Sequence, residues 1–425
     1  MGQVRRVGWT IALAAAAMIG GSATAKADIA SDKMAAIVIY PKVEVDTGEG
    51  EDTIIRLANT NKTQPILAHC FYVDANSHCN GGANDGDLCQ TGADCAGGTC
   101  EEEWLETDFR IQLTYEQPIQ WIASEGLADP RVCESGADQG DACRTNDDCA
   151  GGARCIGLPL AQGICSGNPF FSCSSNSDCA QFNAGSCTQS NVGTRLPPVP
   201  EDPFRGELRC IAIDTNGVPV PRNELLGQGI FTRVDGNSID QASYNAIGIQ
   251  GTGASSGAAN ELVIGGANPE YNGCPNYLVV DHFAEDATNP VPETDQTIES
   301  SLILVPCSND YLRQKPGSAV LQFLVFNEFE QRLSTSTSFK CYHEARLCET
   351  TPGQCERSIW NVSVLGTLSA QTRIQALPTG SNSSVPSAVL GILQENYVGE
   401  NDTTTAIVNL HQQGARSTAD VITIP

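Results

Sequence analysis

Basic residues are scarce in this chain: 24 lysines and arginines stand against 50 aspartates and glutamates, for a formal net charge of −26. Neutralising phosphates needs clustered Lys and Arg, so nucleic acid and anionic membrane surfaces are excluded as partners. Histidine is thin as well. Its five copies in 425 residues are scattered, and with no C-x2-C pair or H-E-x-x-H the usual zinc sites are absent. A P-loop and a complete dinucleotide fingerprint are also missing. Beyond the N-terminus no apolar run approaches the roughly 20 residues that cross a bilayer, so no membrane span is expected.

What is present begins with an export signal over residues 1–27. Arg5 and Arg6 form a charged start, Val7 to Gly20 a short apolar run, and Ala23-Thr24-Ala25-Lys26-Ala27 a small-residue cleavage site. Removing Arg5, Arg6 and Lys26 takes the formal charge from −26 to −29. The expected location is secreted, extracellular or periplasmic. Enough chain remains for two or three domains with cores of ordinary size. With 41 Gly and 22 Pro, it reads as strands separated by many turns.

Nineteen cysteines fit only an oxidising compartment. Twelve fall into three copies of C-x(7 to 9)-C-x5-C-x(4 to 7)-C. The first, residues 79–100, holds Cys79, Cys89, Cys95 and Cys100; the second, 133–155, holds Cys133, Cys143, Cys149 and Cys155. The third, 165–187, holds Cys165, Cys173, Cys179 and Cys187. Asp94, Asp148 or Asp178 precedes each third cysteine. Segments this short and this poor in large apolar side chains cannot bury a core, so cross-links must hold them. Two disulfides per module stabilise by about 3 kcal/mol each. Four cysteines allow three connectivities, and the spacing does not choose among them.

This pattern resembles the short Cys-rich repeats common in exported proteins of environmental bacteria and is similar to Cys-rich modules of animal secreted ligands. The resemblance covers roughly 80 residues and implies an extracellular disulfide module, not an activity.

Acidic turns recur inside the repeats, with Asp85 and Asp87 in the first copy and Asp138 and Asp141 in the second. Carboxylates around a glycine suit calcium, which prefers oxygen ligands. Asp and Asn beside Gly also make tight turns without any ion. The third copy lacks the carboxylates and none has EF-hand spacing. The expectation is therefore turns, with no cofactor and calcium kept as an alternative.

Outside the repeats, period-two alternation marks half-buried strands, as where Phe109, Ile111 and Leu113 alternate with Arg110 and Gln112. The expected fold is all-β: two tandem antiparallel β-sandwich domains resembling the immunoglobulin type, although the Cys-Trp-Cys spacing of true members is missing. The first covers 28–232 and carries the three insertions. A Gly/Ser-rich connector covers 233–274 and the second domain 275–425. The two ends also repeat each other in order, which points to duplication: residues 52–72 match 319–343, and 109–127 match 359–380. If Thr114 to Pro118 is a hairpin turn, all three insertions leave the first domain at one end as a single head, which the second domain lacks.

Seven cysteines lie outside the repeats. The expected pairs are Cys70 with Cys210, Cys274 with Cys307, and Cys348 with Cys355; Cys341 is left either buried or available for a link between chains. Gly253-Ala254-Ser255-Ser256-Gly257 matches a nucleophile elbow literally, but strand-like residues follow where that chemistry needs a helix. No catalytic residue is assigned. The expected function is a non-enzymatic binding or structural protein meeting an extracellular protein or glycan. The alternatives are an extracellular hydrolase using Ser255 or a pair such as Asp147-Asp148, and a calcium-dependent adhesin.

Overall fold

The structure is a computed structural model. It describes residues 29–425 except 90, 103, 127–130, 134, 138–149, 154, 158–162, 166–167, 174–179, 181–184, 189–195, 237, 255–258, 292–293, 351–353, 378–387 and 401–402. It is nearly all β, with antiparallel sheets and helix confined to short turns such as Val362–Leu365. No helix among the described residues is long and apolar enough to cross a membrane.

Nine strands build the first half: β1 (Ile37–Val45), β2 (Glu51–Asn59), β3 (Ile66–Asp74), β4 (Leu105–Leu113), β5 (Pro118–Ile122), β6 (Phe204–Ile213), β7 (Leu225–Asp235), β8 (Ser238–Asn245) and β9 (Ile247–Ile249). They form two sheets, ordered β9-β1-β6-β3-β4 and β8-β7-β2-β5. Nine more build the second half: β10 (Pro275–Phe283), β11 (Thr297–Pro306), β12 (Ser318–Asn327), β13 (Arg332–Lys340), β14 (His343–Arg346), β15 (Ser369–Ala376), β16 (Val389–Val398), β17 (Thr403–Asn409) and β18 (His411–Ala415). Their sheets are β18-β10-β15-β12-β13 and β17-β16-β11, with β14 and the two-residue strand Ala287–Thr288 on the other side of β11.

Adding nine to every label of the first half gives the second half, neighbour for neighbour. One topology therefore occurs twice. The correspondence is one strand out of step with the sequence alignment. That alignment set β2 and β3 against β12 and β13, whereas the shared strand order sets them against β11 and β12. Similar short apolar-rich strands recur along both halves, so a one-strand slip leaves the broad pattern intact.

Each pair of sheets encloses an apolar cluster. In the first half Tyr40, Leu57, Tyr72, Phe109 and Trp121 meet, and Trp121 Nε1 donates to the Tyr72 hydroxyl at 2.7 Å. In the second, fully buried Trp360 donates to Thr372 Oγ1 at 3.1 Å. A third cluster joins the halves: the opposite face of β1 and β3 (Ile37, Ile39, Phe71) packs on Val305, Tyr311 and Leu390. That is why β1 and β3 are buried on both faces and read as apolar runs. Inside this joint, fully buried Arg209 donates to the carbonyls of Cys307 (2.9 Å) and Pro306 (2.8 Å) and pairs with Glu207.

The four sheets make a propeller-like ring instead of two beads on a string. The stretch 233–274, expected as a connector, contributes β8, β9 and a strand at Glu261–Ile264 that pairs with Asp420–Thr423. The described small residues Thr252, Gly253 and Ala254 lie in the loop between β9 and that strand. The turn at 114–117 also differs from a hairpin: it carries the chain from β4 in one sheet to β5 in the other.

Candidate functional site

The register fixes where the insertions leave the frame. Asp74 at the end of β3 faces Leu105 at the start of β4 and lies beside Gly206 near the start of β6, while Val45 faces Phe204. Asp46 bridges to Glu51 and Ile54 faces Ile122, which brings the end of β5 to the same edge. The first module lies between β3 and β4, the other two between β5 and β6. All three depart from one end. The second half is not bare at the equivalent place: between β14 and β15, Cys348 bonds to Cys355. Where the first module stands in one half, the other has only the tight turn that joins β12 to β13.

The first module is a ladder of Ser77–Asn80 against Thr99–Glu102, stapled by Cys79–Cys95 and Cys89–Cys100. Cys79 and Cys100 face each other across the ladder, yet each bonds elsewhere. The glycines are required by contact. A Cβ on Gly98 would lie 2.0 Å from the Gly81 carbonyl oxygen, and Gly82 has φ +82° with the Ala96 carbonyl 2.4 Å from its missing Cβ. Asp94 accepts the amide of Thr91 at 2.8 Å, a turn that explains an aspartate before the third cysteine. Asp85 accepts the Gly81 amide at 2.7 Å, and the Asp87 carbonyl accepts the amide of Cys79. Asp85 and Asp87 belong to one turn, closed by the Asp87 amide on the Asn84 carbonyl at 3.0 Å; Asp138 and Asp141 lie outside the described residues.

A polar joint ties the module to the frame. Asn76 Nδ2 donates to Glu201 Oε1 at 2.6 Å, and His78 Nε2 sits 3.0 Å from Glu201 Oε2. Asp74, 1 % exposed, accepts the Asn76 amide. Burial and a hydrogen bond shared with Glu201 push the Asp74 carboxyl up to about 8. Glu201 moves the opposite way, because bonds from Asp74, Asn76 and His78 outweigh its own burial. The two carboxyl groups thus favour opposite protonation states, Asp74 the neutral one and Glu201 the charged one. Beside the joint, a groove of about 680 Å³ is lined by Glu44, Asp46, Glu51 and Asp94, by the cation Arg205 and by apolar Val45 and Phe204.

No protein-family model and no curated protein matches this chain.

Its chemistry therefore has to be judged from its own side chains. His69 lies 2.7 Å from Asp108, His78 pairs with Glu201, and His282 is buried against Thr372 Oγ1 at 2.8 Å beneath Trp360. None of these joins a nucleophile to a base at an open surface, as acyl transfer requires. Glu106, by burial and the Asp108 charge, and Glu285, by burial against the pull of Arg346, are each pushed up to about 7. Ser255 and the Asp147-Asp148 pair lie outside the described residues.

The structure joins Cys70 to Cys210, directly opposite on β3 and β6, and Cys274 to Cys307. Cys341 is 5 % exposed, so it is placed as a small core residue and not at the surface. The joint of Asp74, Asn76, His78 and Glu201 was missed from sequence. Its one local signal was the D-x-N turn after β3, and Glu201 comes from far along the chain.

Proposed function

We propose that this chain is an exported, non-enzymatic binding or structural protein of the extracellular space, whose disulfide-stapled head meets a protein or glycan partner. The observation that supports it best is the common exit of all three insertions from one end of the first half. Function on rigid β-frames usually sits in loops that the frame positions. The polar joint adds to this by fixing the first module's base. Four carboxylates against the single cation Arg205 around the adjoining groove favour a cationic or hydroxyl-rich partner over a polyanion.

Each pair of sheets is proposed to be an immunoglobulin-like sandwich, the first spanning 28–249 with its insertions and the second 275–415. Setting β2, β3, β5 and β6 as strands B, C, E and F gives the B–E and C–F neighbours of that fold. The edges depart from it: β1 takes the place beside F and β7 the place beside B.

The test is a binding screen of the full-length protein against envelope fractions and glycans. It runs beside a variant whose residues 80–99 are replaced by a turn as short as the one between β12 and β13. The proposal expects retention by the native chain and loss in a variant of unchanged melting temperature. Equal retention by both would overturn it.

A further inference from the structure

A groove of about 730 Å³ lies on the outward face of the sheet β8-β7-β2-β5, away from the head joint. Its centre is a row that the strand register builds across four neighbours. Asn245 on β8 faces Gln228 on β7, Gln228 faces Arg56 on β2, and Arg56 faces Gln120 on β5. Strands lie about 4.8 Å apart, so the row is a straight line of planar polar groups roughly 14 Å long. On one side the next outward row, Leu226, Ala58 and Pro118, lines the groove; on the other, outside its lining, the row is Ser243, Ile230, Ile54 and Ile122.

Arg56 is held in place rather than neutralised. Its Nε donates to Gln120 Oε1 at 2.8 Å and its Nη1 to Gln228 Oε1 at 3.1 Å, while Tyr40 Oη donates to the Arg56 carbonyl at 2.6 Å. Among the described residues no carboxylate forms an ion pair with it, although Asp32 stands on the groove's rim. A guanidinium has five N–H donors, and neutral amides occupy two of them. In a chain this acidic, a guanidinium flanked by amides is an arrangement suited to a carboxylate supplied from outside.

The geometry points to a carboxylate-bearing glycan, a chain of uronic acid residues, lying along this row. Sugar rings present hydroxyls at their rim and C–H groups on their faces, which matches amides beside an apolar row. A bound peptide would want backbone partners, and those are offered at a sheet edge, not on a sheet face. The carboxylate of one unit meets Arg56, and its neighbours' hydroxyls meet Gln120, Gln228 and Asn245. This site is separate from the head and does not rest on the head's having a partner.

The experiment is titration calorimetry of the full-length protein with a galacturonic acid tetramer. Controls are the same tetramer with its carboxyls reduced to alcohols and a tetraglutamate peptide. The proposal expects binding of the acid tetramer that Arg56→Gln weakens about tenfold or more, the loss typical of a charge-assisted hydrogen bond. Gln120→Glu, which sets a competing carboxylate beside Arg56, is expected to weaken it as well. The head-shortened variant keeps it. Arg56 is exposed, and unchanged melting of Arg56→Gln shows that the fold survives. Equal affinity for the reduced tetramer, indifference to Arg56→Gln, equal or tighter binding of tetraglutamate, or no binding of the acid tetramer would each overturn the proposal.

Discussion

Asp74 shows how burial reverses the usual behaviour of a carboxylate. Its folded pKa of about 8 lies above its ordinary value of 3.8. The native state therefore holds a proton that the unfolded chain has released between about pH 4 and pH 8, and stability falls through that window as pH rises. Asp74→Asn keeps the polar group without the charge. It is expected to match the native chain near pH 4 and to melt at least about 2 °C higher at pH 9. Melting curves of the two proteins across that range check this; parallel curves would contradict the raised pKa of Asp74. Little of this was legible in the sequence, because the proton is held only when Glu201 is brought to Asp74 across the sheet. The role of Asp94 was half legible. Its recurrence before three cysteines marked a constraint, and the bond to the Thr91 amide supplies the cause.

At the level of elements, the repeats and the joint between halves make separate predictions. Cys133 faces Cys155, and Cys165 faces Cys187, in the ladder register that Cys79 shares with Cys100. The connectivity of the first module, first to third and second to fourth, is therefore expected in all three. Non-reducing peptide mapping should find Cys133 with Cys149, Cys143 with Cys155, Cys165 with Cys179 and Cys173 with Cys187. First-to-fourth pairs would contradict it. In the joint, Arg209→Met leaves Glu207 buried without its cation, and breaking such a pair destabilises by about 3–5 kcal/mol. Adding Glu207→Leu should recover most of the loss, as chemical denaturation of the three proteins would show. Strands were well legible here, since Phe109, Ile111 and Leu113 alternate as a half-buried strand must. Partners were not: Glu207 and Arg209 sit in an ordinary strand pattern, and only the fold brings Cys307 and Pro306 to them.

For the whole molecule, duplication was legible in outline and misaligned in detail. The sequence offers many similar short apolar-rich strands and almost no fixed landmark, so only pairing order reveals that β1 answers to β10. The ring of four sheets was not legible, because the cluster that joins the halves uses the second face of β1 and β3, and an apolar run does not say what will cover it. The single exit end was legible from chain path, although the crossing at 114–117 runs between sheets. The account rests on that end being where partners are met. Hydrogen exchange of the full-length protein, with and without the partner retained in the binding screen, tests it most directly. Slowed exchange confined to the head and its base, residues 77–102 and 131–205, is the predicted result. Slowing at the opposite end, at 60–65 and 114–117, with none in the head, would contradict it.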